Sequence, residues 1–264
     1  KVVKDKTDMD LALQDTLSWQ FWPRIRLHLG RTTLTDTQAG KTLVAIRQAD
    51  VSVQVLPLLA KRIAIDEVVL DGANVEFLQY ADGSTSWDRM LAKLKSAPEE
   101  KSEQIDFNIS VLNVSNSALH FADEKSKLDG RLDKLLVMAS NIDLKKAFPV
   151  RVKFTWSQTD GQGKTLTADN DLNASVQLDQ AAEKYLLRNL TARSHLSGSL
   201  LPAPLALDVQ ADITADQKQQ QHTVDGLKLA LDLEDPKLSK PARLELSAKV
   251  NADLRQQKVA VTGL

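Results

Sequence analysis

The sequence predicts a mainly β protein: a long, strongly twisted antiparallel meander, with one or two short helices near its N-terminal end. Three observations predict it. Apolar and polar residues alternate with period two through most of the 264 residues, the mark of sheet with one buried and one wet face. Internal repeats recur along the chain, so the fold grows by adding like units. The composition is 42% apolar but only 5% aromatic, so Leu, Val, Ile and Ala carry the burial.

The elements follow in order. "RIRLHLG" places Ile25, Leu27 and Leu29 on one face, and "DVSVQVL" does the same with Val51, Val53 and Val55. "RVKFTWS" alternates Val152, Phe154 and Trp156. "LALDVQADI" alternates Leu205, Leu207, Val209 and Ala211. "GLKLALDLE" gives Leu227, Leu229 and Leu231, and "RLELSAKVNADL" runs on from Leu244 and Leu246. Helix signals are few. "SWDRMLAKLKS", 86–96, spaces Trp87, Leu91 and Leu94 at i, i+4 and i+7, with Ser86 as N-cap and Asp88 in the first turn. "LALQDTL" near the start is a second candidate, and "LPLLAKR" gives one helical turn with Pro57 in its first position. A polar linker, 96–104, separates two modules: 1–97, ending in the capping helix, and 105–264, a run of β-hairpins continuing the same sheet.

Two repeats stand out. Residues 65–78 align without gaps to 109–122, matching Val75 to Leu119 and Phe77 to Phe121. Each copy reads as a hairpin with a tight turn at Asp71-Gly72 or Ser115-Asn116. Separately, Leu135, Leu190 and Leu227 are each followed fourteen residues later by a proline, Pro149, Pro204 and Pro241, and then a strand. Proline at a strand's first residue costs the ladder no needed bond.

Many such strands make an apolar face far larger than the few hundred Å² a soluble monomer exposes. Two solutions cover it: a sandwich of two sheets, or a bent sheet whose inner face holds something apolar, such as acyl chains. The groove would be lined by Ile25, Leu27, Leu29, Val51, Val53, Val55, Val75, Phe77, Leu119, Phe121, Val152, Phe154, Leu205, Leu207, Val209, Leu229, Leu231, Leu244 and Leu246, with Trp87, Leu91 and Leu94 capping its end.

Little points to catalysis. Charges nearly cancel at −1, with no basic stripe for nucleic acid. There are no cysteines, so neither disulfides nor thiolate metal sites arise. His28, His120, His195 and His222 lack metal-ligand spacing and read as surface or pleat-edge residues. Gly-x-Ser-x-Gly and phosphate-loop motifs are absent. Asp82 and Asp88 could flank a glycosidic bond, but Asp82-Gly83 is ordinary turn chemistry and Asp88 ordinary helix-start chemistry. The expectation is no enzyme, no metal and no cofactor. No apolar run reaches the 18 residues of a membrane span. The start and the end in mid-alternation read as a segment of a longer chain.

"LDGANVEFLQYADGSTSWDRML" resembles the signature of the AsmA-like family of bacterial envelope proteins, on Leu70, Gly72, Val75, Phe77, Asp82, Gly83, Trp87 and Leu91. "LSWQFWPRIRLHLGRTTL" is similar to the family's Trp-x-x-x-Pro segment on Trp19, Pro23, Leu27, Leu29 and Leu34. The resemblance covers about residues 10–125. It departs at Ser86, where the family usually has Asn. The family is related to bridge-like lipid transfer proteins, whose bent sheet holds lipid tails in a continuous groove, so the resemblance implies a meander bent into a groove rather than a closed sandwich. The resemblance therefore implies an inner-membrane protein anchored by an N-terminal transmembrane helix that this sequence lacks, with its bulk in the periplasm. It implies phospholipid in the groove, a part in outer-membrane biogenesis touching outer-membrane protein assembly and lipopolysaccharide, and possible envelope protein partners. An alternative is a non-enzymatic scaffold that aids outer-membrane protein assembly through an exposed sheet edge.

Overall fold

The structure is a computed structural model. It describes residues 7, 9–15, 17–21, 24–59, 64–96, 108–143, 146–179, 181–233 and 242–263. Its seventeen strands form one mixed sheet that is not closed into a barrel. Two compact units divide the chain: residues 1–136 with 157–163, and residues 137–156 with 164–264. The division falls inside a strand rather than at the linker 96–104. The segment after that linker pairs back onto the first module.

The first unit holds β1 (Met9–Leu13), β2 (Ser18–Gln20), β3 (Arg24–Leu29), β4 (Thr32–Asp36), β5 (Thr42–Ile46), β6 (Gln48–Gln54), β7 (Ala64–Asp71), β8 (Asn74–Gln79) and β9 (Asn108–Asp123). Among the described residues it also holds the short helices α1 (Val55–Leu59) and α2 (Asp88–Ser96), and the start of β10 (Leu128–Asp143). Residues "LALQDTL" are not helical: Leu11 and Leu13 lie in β1, paired antiparallel to Leu34 and Thr32. The alternation of Met9, Leu11 and Leu13 outweighs any local helix preference.

The pairs β1–β2, β3–β4, β5–β6 and β7–β8 each act as one long strand broken once. β3 and β4 run antiparallel to β6 and β5 in a continuous register from Arg24↔Gln54 to Thr32↔Ile46. The breaks line up as a crease. At it Gln14 N–H donates to Arg31 O (2.8 Å), Arg47 N–H to Gly72 O (3.3 Å) and Gly72 N–H to Ser115 O (2.9 Å). Gly72 and Asn116 face each other there with φ of 64° and 49°, a left-handed backbone that Gly and Asn adopt at least cost.

The two copies of the first repeat are not hairpins. β7 and β8 both pair with β9 in parallel, Ile65↔Ile109 through Asp71↔Ser115 and then Asn74↔Ala118 through Gln79↔Asp123. The gap-free alignment is the register itself: the copies lie side by side. Asp-Gly and Ser-Asn mark the crease where turns were expected. A parallel pair needs a long crossover, and the segment bearing α2 supplies it. The other strand pairs of described register are antiparallel.

The second unit continues with β11 (Phe148–Thr159), β12 (Thr165–Asp179), β13 (Lys184–Ser197), β14 (Leu205–Asp216), β15 (Gln221–Leu233), β16 (Ala242–Asp253) and β17 (Lys258–Thr262). From β12 onward each strand pairs antiparallel with the next. Pro149 is the second residue of β11 and Pro204 immediately precedes β14, so both sit where a strand tolerates proline. Pro241 lies outside the described residues.

The leucines of the second repeat follow left-handed residues: Lys134 (φ 54°), Asn189 (φ 52°) and Gly226 (φ 59°). Their role is visible in the register. Leu187 and Leu190 are three apart, an odd step that would put them on opposite faces of a regular strand. Yet they pair with Ile213 and Ala211 of β14, two apart and on one face. The bulge at Asn189 absorbs the extra residue. Gly226 does the same between Val224 and Leu227, which pair with Val250 and Ala248. Bulges of this kind bend a strand and raise its twist.

Candidate functional site

The predicted lining residues fall into cross-strand rows. In the first unit one row runs Trp19, Leu27, Val51, Val68, Leu112, and another Leu29, Ala49, Leu70, Val114. Beyond the crease a third runs Leu11, Leu34, Val44, Val75, Leu119. Phe77 and Phe121 stack, with ring centroids 5.6 Å apart. Ile25 pairs with Val53. Val55 is a correction: it opens α1 instead of ending a strand, because β6 stops at Gln54, just before "VLPLL".

In the second unit Leu172, Ala192, Val209, Leu229 and Leu246 form one row, and Leu207, Leu231 and Leu244 part of the next. Val152 and Phe154 are half-buried in β11. Leu244, at 59%, is among the more exposed apolar side chains.

The opposite face of the second unit is hydrophilic. Asp171, Arg193, Asp208, Ala230 and Glu245 form one row, and Asn173, Thr191, Gln210, Lys228 and Ser247 the row beside it. A shallow concavity of about 710 Å³ is lined mainly by these side chains. Arg151 and Lys153 both pair with Asp171, at 2.8 and 3.0 Å. Hydrogen bonding from Arg151 leads the effects that hold the Asp171 carboxyl at about 2. Sequence reading missed this hollow. Its signal was the charged residues at the intervening positions, taken there only as a wet face.

At the Trp87 corner polar groups hold the turn and the start of the helix. Thr85, rather than Ser86, caps α2. Its Oγ1 accepts the Trp87 N–H (3.3 Å), while Asp88 accepts the Thr85 N–H and hydroxyl, both at 2.6 Å, a reciprocal capping box. Ser86 instead ties the end of β8, its Oγ accepting the Leu78 N–H at 3.0 Å. Trp87 Nε1 donates to Glu76 O at 2.8 Å. Asp82 accepts the Ser84 N–H and hydroxyl. Both carboxylates are thus occupied by their own turns, and the Ser84 and Thr85 hydroxyls lead in holding Asp82 and Asp88 below the usual range. Leu91 is 45% exposed; the side chain of Leu94 lies outside the described residues.

Arg89 of α2 pairs with Asp36, which also accepts N–H groups from Gln38 (2.8 Å) and Ala39 (3.1 Å). Burial pushes the Asp36 carboxyl up, but these donors outweigh it and the net shift is downward. Met9 and Leu43 are fully buried at this end.

His120 is more than a pleat-edge residue. Nδ1 lies 2.7 Å from Glu76 Oε2 and Nε2 3.2 Å from Asp129 Oδ2, carboxylates of the strands on either side. No group of three or more His, Asp or Glu among the described residues is placed to hold a metal ion. No helix among them is long and apolar enough to cross a membrane.

Comparison with known proteins matches the sequence model of the AsmA family to residues 1–260. The chain is also 29% identical over 126 residues to Protein AsmA of Escherichia coli (strain K12), across 47% of this chain and 20% of that protein. It therefore spans about a fifth of that relative's length. No solved structure matches.

Proposed function

The chain belongs to the AsmA family, and from that premise we propose that it is a non-enzymatic lipid carrier of the bacterial envelope, holding phospholipid acyl chains against the apolar face of its sheet. Membership supports an envelope-associated role. The lipid reading rests on one observation: apolar side chains stay in register across consecutive strands, through the creases and bulges that would otherwise scatter them. A methylene moved from water to such a face gains about 0.8 kcal/mol, so an acyl chain binds without any specific polar contact. Headgroups stay in water and selectivity among lipids is low. In this reading the protein sits in the periplasm, tethered to the inner membrane by a transmembrane helix outside this sequence, and supplies lipid for outer-membrane biogenesis.

The test is native mass spectrometry of the purified chain with extraction of bound lipid. Phospholipid should co-purify and be lost in Val68→Asp and Leu229→Asp variants that keep their β circular dichroism. A folded chain that is lipid-free and indifferent to added phospholipid would overturn the reading and leave the protein-assembly scaffold in its place.

A further inference from the structure

We propose that the α1 end of the first unit docks on the surface of a phospholipid bilayer. Two segments converge there. β2 ends beside the start of β3, with Gln20 opposite Arg26, and β3 starts opposite the end of β6, with Arg24 opposite Gln54. Phe21 therefore leaves β2 at the end of the sheet where α1 begins. Phe21 is 68% exposed and Leu56, the second residue of α1, 74%. Trp19 stacks on Phe21, with centroids 6.3 Å apart and ring planes 7° from parallel.

The charges beside them complement a phosphate layer. Arg24 pairs with Asp66 at 2.5 Å and Arg26 with Glu67 at 3.1 Å. The Arg24 guanidinium faces outward, 57% exposed against 14% for Asp66, while Arg26 and Glu67 are both accessible, at 44% and 35%. The end thus presents aromatic and aliphatic tips rimmed by arginine. This is the chemistry of the bilayer interface, where aromatic rings sit at headgroup level and basic groups meet phosphate. Trp19 also starts the row that continues through Leu27, Val51, Val68 and Leu112, so the patch is continuous with the apolar face. The proposal deepens the lipid reading by naming the surface from which acyl chains would pass onto that face.

The experiment is flotation of the purified chain with vesicles of phosphatidylethanolamine and phosphatidylglycerol. Phe21→Glu with Leu56→Glu should lower partitioning about tenfold or more, since each change removes a buried apolar tip. Both side chains are exposed, so the fold survives, and native mass spectrometry with detergent-dispersed lipid should still find acyl chains on the face. Val68→Asp should do the reverse, binding vesicles but no acyl chain. Val259→Glu, an equally exposed site in the second unit, should partition as the parent does. Failure of the parent chain to float, unchanged partitioning of the double variant, or equal loss in Val259→Glu would each overturn the docking proposal. None of these outcomes bears on whether the face holds lipid.

Discussion

At the α2 end of the first unit Met9, Leu43 and Asp36 are 0%, 1% and 2% exposed, whereas at the α1 end of the same strands Phe21 and Leu56 stand mostly in water. Aliphatic rows reach both ends. At the α2 end specific polar hooks hold the helix: Arg89 on Asp36, Trp87 Nε1 on Glu76 O, and Ser86 on the end of β8. Such hooks fix where a short helix sits, and apolar burial then follows. At the α1 end the second residue of the five-residue helix, Leu56, is exposed to solvent. The α2 end is closed over buried side chains, and the α1 end is open at Phe21 and Leu56.

The largest test of this contrast is a matched pair of truncations. Leu43→Ala at the closed end should cost about 2–5 kcal/mol, by lost burial plus the cavity left behind. Leu56→Ala at the open end should stay within about 0.5 kcal/mol of the parent. Urea unfolding of both decides it; similar costs would mean that Leu56 is covered in solution. Next is Asp36→Asn, which removes a buried charge from Arg89 and from two N–H donors, at about 1–3 kcal/mol. Because the folded Asp36 carboxyl lies below its unfolded value, its contribution is present above the unfolded value of 3.8 and lost as pH falls through the folded one. The parent should therefore lose its advantage over Asp36→Asn under acid, and a difference independent of pH would assign the effect to packing.

A smaller effect separates bulge from strand. Gly226→Val forces a β-branched residue into the left-handed region and should cost about 1–2 kcal/mol. Asn189→Gly keeps that backbone and should change stability by only a few tenths, since Gly and Asn both tolerate it. The Leu227 and Leu190 rows would then exchange amide hydrogen at different rates in the two variants, and equal protection would sink the idea that the bulge sets the phase.

Alternation made the strands legible, and the offset between 65–78 and 109–122 was the true register before any coordinates. Its meaning was not legible. Asp71-Gly72 carries the same dipeptide signal whether the chain reverses or creases, and only the neighbouring strand decides. The phase slips were also in the sequence, in the odd steps from Leu187 to Leu190 and Val224 to Leu227, and they marked the bulges. Val55 and "LALQDTL" were misread because five- to seven-residue apolar runs fit helix and strand alike. The exposure of Leu91 could not be read, because helical spacing says which residues share a face and not whether anything lies against it.

The smallest effect lies beyond the crease, on the half of β9 nearer the closed end. His120 has a carboxylate at each ring nitrogen, Glu76 on β8 and Asp129 on β10. Ionised carboxylates only accept, so satisfying both requires the doubly protonated ring. Hydrogen bonding to Glu76 leads the effects that raise the His120 pKa; burial opposes it and Asp129 adds to it. The sign follows: a group whose folded pKa is raised gives its full stabilisation below the unfolded value near 6.5 and loses it as pH rises through the folded value. The side chain is 24% exposed, so the contribution should be about 1 kcal/mol or less. The parent should lose that much in urea unfolding on going from pH about 6 to about 9, and His120→Gln should remove the loss. Titration of the imidazole by NMR checks the premise independently. A midpoint at or below that of free histidine would mean that one carboxylate has turned away, and that β8 and β10 are held to β9 by their ladders alone.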